Sequence, residues 1–201
     1  MSQTTVNSVK KRIFGHGSGW CFTPNDFIDL GSSEAIRVTL FRLESLGLIV
    51  RHTHGLYELP KKHKSLGILP PDINKIVSAI AQKNKIKIQP SGAYAANLLG
   101  LSEQVPGKTV FLTNGASRSF KIGNSEVVFK KTTPKNMKTA GKFSGLVIQA
   151  LRHIGKGNVS DGNIKQLKKN INKENKKSLQ TGANLAPVWI SKIIRNELLK
   201  D

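Results

Sequence analysis

Cysteine is nearly missing. Cys21 is the single one in 201 residues, so no disulfide can close within the chain and stability has to come from packing. Aromatic residues are also sparse at 6%, which leaves few platforms for stacking on unpaired bases and disfavours sequence-specific binding of single-stranded RNA. No apolar run approaches the roughly 18 residues that a membrane span needs. The opening MSQTTVNSVKKRIF lacks the apolar core of a secretory signal, so the sequence predicts a cytoplasmic protein with no membrane partner. Acidic residues are the scarcest charged class: 12 Asp and Glu stand against 32 Lys and Arg, for a formal net charge of +20. Such a balance favours partners that carry phosphates or carboxylates.

What is present is a chain long enough for two modest cores, since domains most often run about 100 to 150 residues. Charge is distributed unevenly between its parts. Up to residue 71 there are 9 basic and 5 acidic side chains, which leaves 23 and 7 for residues 72–201. The segment PKKHKSLGILPPD, residues 60–72, reads as a seam where prolines and lysines interrupt the apolar patterning. The expected organisation is therefore a first domain over residues 1–60, a linker over 61–71, and a second, more basic domain over 72–201.

Upstream of the seam, Val6, Val9, Ile13 and Phe14 recur at helical spacing before a Gly and predict a first helix. Thr23 as N-cap followed by Pro24 predicts a short second one. A third helix opens at Ser32 or Ser33, with Glu34 at its positive end and Ile36, Leu40, Leu43 and Leu46 as its apolar stripe. The opposite side of that helix carries Glu34, Arg37, Val38, Phe41 and Ser45, with Arg42 on the flank. Phe41 has two readings there, packing under the hairpin wing that follows or contacting a thymine methyl, and packing is the favoured one.

LGLIVR and LYELP then read as two strands separated by HTHG, the Gly supplying the positive φ of a tight turn. Three helices followed by a hairpin give a winged helix-turn-helix, whose third helix enters the major groove while the wing follows the neighbouring backbone. Beyond the seam, helix and strand patterns alternate and then give way to helices, so the fold class is α+β: a winged helix-turn-helix followed by a basic α+β domain with a helical C-terminal end. The stretch KKNINKENKK reads as a charged helix face or a loop.

Candidate chemistry is thin elsewhere. His52 and His54 alternate along a strand end, but no Cys, Asp or Glu lies near enough in sequence to complete a metal site. Neither Cys21 nor any Ser comes with a base and an oxyanion site, and GHGSGW and GKGN lack the framing of a phosphate loop. The expectation is thus a non-enzymatic protein without cofactor or metal. The residues expected to meet DNA are Ser32, Ser33, Arg37, Val38 and Arg42 on the third helix, Arg51, His52 and His54 on the wing, and Lys61 and Lys62 after it. An RNA-binding or ribosome-associated protein that uses its winged helix for protein contacts is the alternative from a different class.

The run AIRVTLFRLESLGLIVRHTHGLYELP resembles the helix-plus-wing signature of the AbiEi-type antitoxins of bacterial abortive-infection toxin–antitoxin systems. The resemblance lies in Leu40, Leu43, Gly47, Ile49, Gly55, Tyr57 and Pro60. PSGAYAANLLGLSEQVPGKTVFLTNG is similar to the start of that family's second domain. Beyond Lys138 no family motif is matched. The resemblance implies a repressor that binds inverted repeats in its own promoter and counteracts a nucleotidyltransferase-like toxin, whether or not it touches that toxin.

Overall fold

A computed structural model describes residues 3–200 of the chain. They form an α+β fold in two units, one running to Lys85 and including Lys121–Asn124, the other made of Ile86–Phe120 and the residues from Ser125 onward. The boundary differs from the expected one. Helix α3 (Ile73–Lys83) belongs to the first unit, because its apolar face, Ile76, Val77, Ile80 and Ala81, is buried there beside strand β1 (Cys21–Phe22). The segment expected as a linker, 61–71, contains a small hairpin of β4 (Lys62–His63) and β5 (Gly67–Ile68).

The first unit begins with α1 (Gln3–His16), which buries Val9 and Ile13. The predicted second helix is a single 3-10 turn, Pro24–Phe27, fixed by a capping box between Thr23 and Asp26. Next comes α2 (Ser33–Ser45), the predicted third helix. The Ser32 hydroxyl accepts the Ala35 N–H at its start, and Gly47, at φ +65°, turns the chain at its end. Ile36, Leu40 and Leu43 are buried as expected, whereas Leu46 is exposed, because the helix ends at Ser45 and the chain turns over at Gly47.

Strands β2 (Val50–Thr53) and β3 (Leu56–Glu58) complete a sheet of order β1-β3-β2, antiparallel throughout. Helix, strand, helical turn, helix and hairpin, with the first strand pairing onto the last, is the connectivity of a winged helix-turn-helix. Its core gathers Val9, Ile13, Phe22, Phe27, Ile36, Leu40, Leu43, Ile49 and Tyr57. Trp20 packs against that core and stacks on His16 with ring centroids 3.9 Å apart.

A four-stranded sheet of order β6-β7-β9-β8 is built from β6 (Ile88–Pro90), β7 (Lys108–Thr113), β8 (Arg118–Ile122) and β9 (Ser125–Lys131), all of it in the second unit except Lys121 and Ile122 at the end of β8. Strands β7 and β9 run parallel, with Val110 opposite Val128. Helices α4 (Gly92–Leu98), α5 (Pro134–Met137), α6 (Phe143–Ile154), α7 (Asp161–Lys169), α8 (Lys173–Ala183) and α9 (Val188–Ile193) follow the strands or intervene between them, and α9 continues into one π turn, Ile194–Leu198. Ala95, Val147, Leu151, Leu167, Leu179, Ile190 and Ile194 are central to the helical core. The ambiguous charged stretch comprises the end of α7, a break at 170–172 and the start of α8, which Asn172 caps and in which Leu179, Gly182 and Ala183 form a narrow buried stripe. A Cβ on Gly182 would lie 2.3 Å from the Cβ of Ser144 on α6, so the two helices meet at a distance that only glycine permits. No helix among the described residues is long and apolar enough to cross a membrane.

Candidate nucleic-acid interface

Helix α2 divides its residues between two faces. With Ile36, Leu40 and Leu43 buried on the core side, the 100° turn per residue sets Glu34, Val38, Phe41 and Ser45 along the far side, with Arg37 and Arg42 on opposite flanks. Arg37, Arg42, Ser32 and Ser33 are exposed and Val38 is half-buried. The Arg37 Nε donates to the Ser33 carbonyl at 3.2 Å, which holds the guanidinium stem along the first turn of the helix. Phe41 is 65% exposed. The favoured expectation that it packs beneath the wing is therefore not met: the buried side of the helix is the one that carries Ile36, Leu40 and Leu43, and Phe41 lies away from it.

The tip of the wing is tied from two sides. Lys83, at the end of α3, donates from Nζ to the carbonyls of His54 at 2.6 Å and Gly55 at 3.2 Å. Gly55 has φ +63°, and a Cβ there would sit 2.8 Å from Lys83 Nζ. Arg51 Nη2 lies 3.1 Å from His54 Nδ1. A guanidinium only donates, so Nδ1 is the acceptor and the imidazole proton sits on Nε2. Both Arg51 and His54 are exposed.

His52 lies elsewhere. A bulge between Arg51 and Thr53 breaks the two-residue alternation, so His52 and His54 do not share a side as expected. His52 turns inward and its Nε2 meets Glu58 Oε2 at 2.6 Å, each side chain only 6% exposed. Glu58 is the residue that the sequence reading missed. Its signal was available only through the cross-strand register, which places it opposite Val50 and Cys21. Lys61 and Lys62 are exposed; the Lys61 stem crosses Gly19, and Lys62 pairs with Ile68 in the second hairpin.

Cys21 is partly buried, and among the charges that act on its thiol Glu58 and Asp72 oppose ionisation while Lys75 favours it. Burial pushes its thiol up to about 12, and the charge of Glu58 adds to the effect. It is a poor nucleophile on both counts. Among the described residues no three His, Cys, Asp or Glu side chains gather in a way that could hold a metal ion.

The RV2827C protein from Mycobacterium tuberculosis has a similar crystal structure, with a TM-score of 0.46 and 11% identity over 100% of this chain and 82% of that one. No curated protein matches the sequence. A family model described as a family of unknown function (DUF6088) matches residues 8–179, and the chain belongs to that family.

Proposed function

We propose that this protein is a sequence-specific DNA-binding repressor in which α2 reads base edges in the major groove while the wing tip holds the neighbouring backbone. The observation that carries this reading is the outward face of α2, edged by Arg37 and Arg42, in the same unit as a hairpin tip that exposes Arg51 and His54. Arginine is suited to both tasks, since its fork matches the O6 and N7 edge of guanine and also binds phosphate. Ser32, Ser33, Lys61 and Lys62 are exposed and add hydroxyl and ammonium donors for phosphate oxygens. His52 is not among the contacts, because Glu58 occupies its ring nitrogen.

The resemblance of the helix-plus-wing sequence to AbiEi-type antitoxins supports a wider role: autorepression from inverted repeats and counteraction of a nucleotidyltransferase-like toxin, in the cytoplasm and without catalysis by this chain. The second unit is then the part that serves neutralisation. A binding comparison at physiological salt tests the DNA reading. The duplex upstream of the gene should bind at least about a thousandfold more tightly than random duplex, the usual specific-to-non-specific margin. Tighter binding to RNA than to either duplex would replace repression with an RNA-associated role.

A further inference from the structure

The least comfortable side chain on the outward face of α2 is Phe41. It is 65% exposed in a helix whose other large apolar residues, Ile36, Leu40 and Leu43, are fully buried. It stands one turn from Val38, and the strip these two make lies between Arg37 on one flank and Arg42 on the other. Glu34 and Ser45 close the two ends of that strip, so whatever covers Phe41 has to offer an apolar group between two positions that can accept from arginine.

From that combination we infer that Phe41, supported by Val38, selects thymine in the bound sequence by covering its C5 methyl in the major groove. The inference rests on the DNA-binding reading above and adds the base that the centre of the helix prefers. The thymine methyl is the apolar group that a B-form major groove presents, and guanine edges and phosphates lie to either side of it, where the flanking arginines meet them. Duplex RNA is excluded as the occupant because uracil lacks the methyl and the A-form major groove is too deep and narrow for side chains to read. An apolar protein surface would leave Arg37 and Arg42 facing it without compensation. The arginines also divide the labour: they anchor and read guanine, while Phe41 discriminates at the step between them.

The test uses the full chain and a duplex selected for binding from a random pool. Each thymine of the bound site is replaced in turn by deoxyuridine, which removes the methyl and nothing else, and affinity is read by fluorescence anisotropy at fixed salt. At one or two positions the loss for the wild type should be about fourfold to tenfold, the scale of one buried methyl. Phe41→Ala should bind the thymine duplex more weakly by a similar factor and be indifferent to uracil at those same positions. Phe41→Leu should recover part of the discrimination.

Phe41 is exposed, so an unchanged thermal midpoint for these variants is the control for folding. Uracil substitutions without effect on the wild type, or losses that multiply with Phe41→Ala, would overturn the inference while leaving DNA binding intact. Selection that yields no preferred duplex removes the DNA-binding reading and this inference with it. A drop in solution mass for Phe41→Ala, together with a flat uracil scan, would assign the face to a second copy of the chain instead.

Discussion

Nε2 of His52 and Oε2 of Glu58 meet at 2.6 Å inside the wing, both side chains all but buried. The pair turns an apparent DNA-contacting histidine into a structural strut. Removing one partner strands the other in a low-dielectric setting, so Glu58→Ala should destabilise the protein by about 2 to 4 kcal/mol in denaturant titration at neutral pH. Glu58→Gln keeps an acceptor and should cost less. Equal stability of wild type and Glu58→Ala would show that the strut contributes nothing.

Arg37 and Arg51 should separate specificity from general affinity. Arg37→Ala is expected to cost about 1 to 3 kcal/mol on the selected duplex and to relax preference at one position. Arg51→Ala should weaken all duplexes alike and lower the dependence of log K on log salt by about one. If Arg37→Ala weakens selected and random duplexes by the same factor, the base-reading role is wrong.

Lys83 lies far from the wing in sequence but holds its tip carbonyls. In Lys83→Met the amides around His54 and Gly55 should exchange with solvent faster while those in the core of α2 stay protected. Unchanged exchange at the tip would mean that the hairpin is self-supporting.

Helix α1 is fastened to the chain before α2 by Arg12, whose Nη1 and Nη2 donate to the two carboxylate oxygens of Asp29. The hydrogen bond from Arg12 holds the Asp29 carboxyl below its ordinary range. A lowered carboxyl favours the folded state above the unfolded value, about pH 4, and that contribution is lost as the pH falls through the lowered folded value. The thermal midpoint of Asp29→Asn should lie below that of the wild type at neutral pH, and the two should converge in acid. A constant gap at all pH values would contradict the linkage.

Cys21, with its thiol at about 12, presents about one thiolate in ten thousand at pH 8, so disulfide reagents should react slowly until the protein unfolds. Rapid labelling of the native chain would show that the strand end opens far more often than its packing suggests.

Much of this was legible in the sequence because local rules dominate there. Thr23 and Pro24, Ser32, and Gly47 mark boundaries through their own backbone and capping chemistry, and the helix-and-hairpin order follows from them. What escaped was set by partners distant along the chain. The bulge at His52 shifts side-chain direction without leaving a trace in composition, and Glu58 comes near only through strand register. The amphipathic pattern of α3 announces a buried face but not which core it fills, so the boundary was drawn before that helix and not after Lys85. Helix α8 was obscured because a stripe of one leucine, one glycine and one alanine carries little hydrophobic signal. Helical periodicity places Phe41 on the outward side of α2, yet whether a neighbouring element covers that side is set by tertiary packing that periodicity does not carry.

The close approach of Gly182 to Ser144, and of Gly145 to the carbonyl of Thr139, has a bearing on genetics. In a screen for loss of function, substitutions at either glycine should appear among the strongest hits, although both lie outside the unit proposed to meet DNA. A methyl group at either site forces α6 away from what it packs against, and the second unit loses its core. Hits at these glycines therefore mark where the protein breaks, and only those whose soluble abundance survives map what it binds.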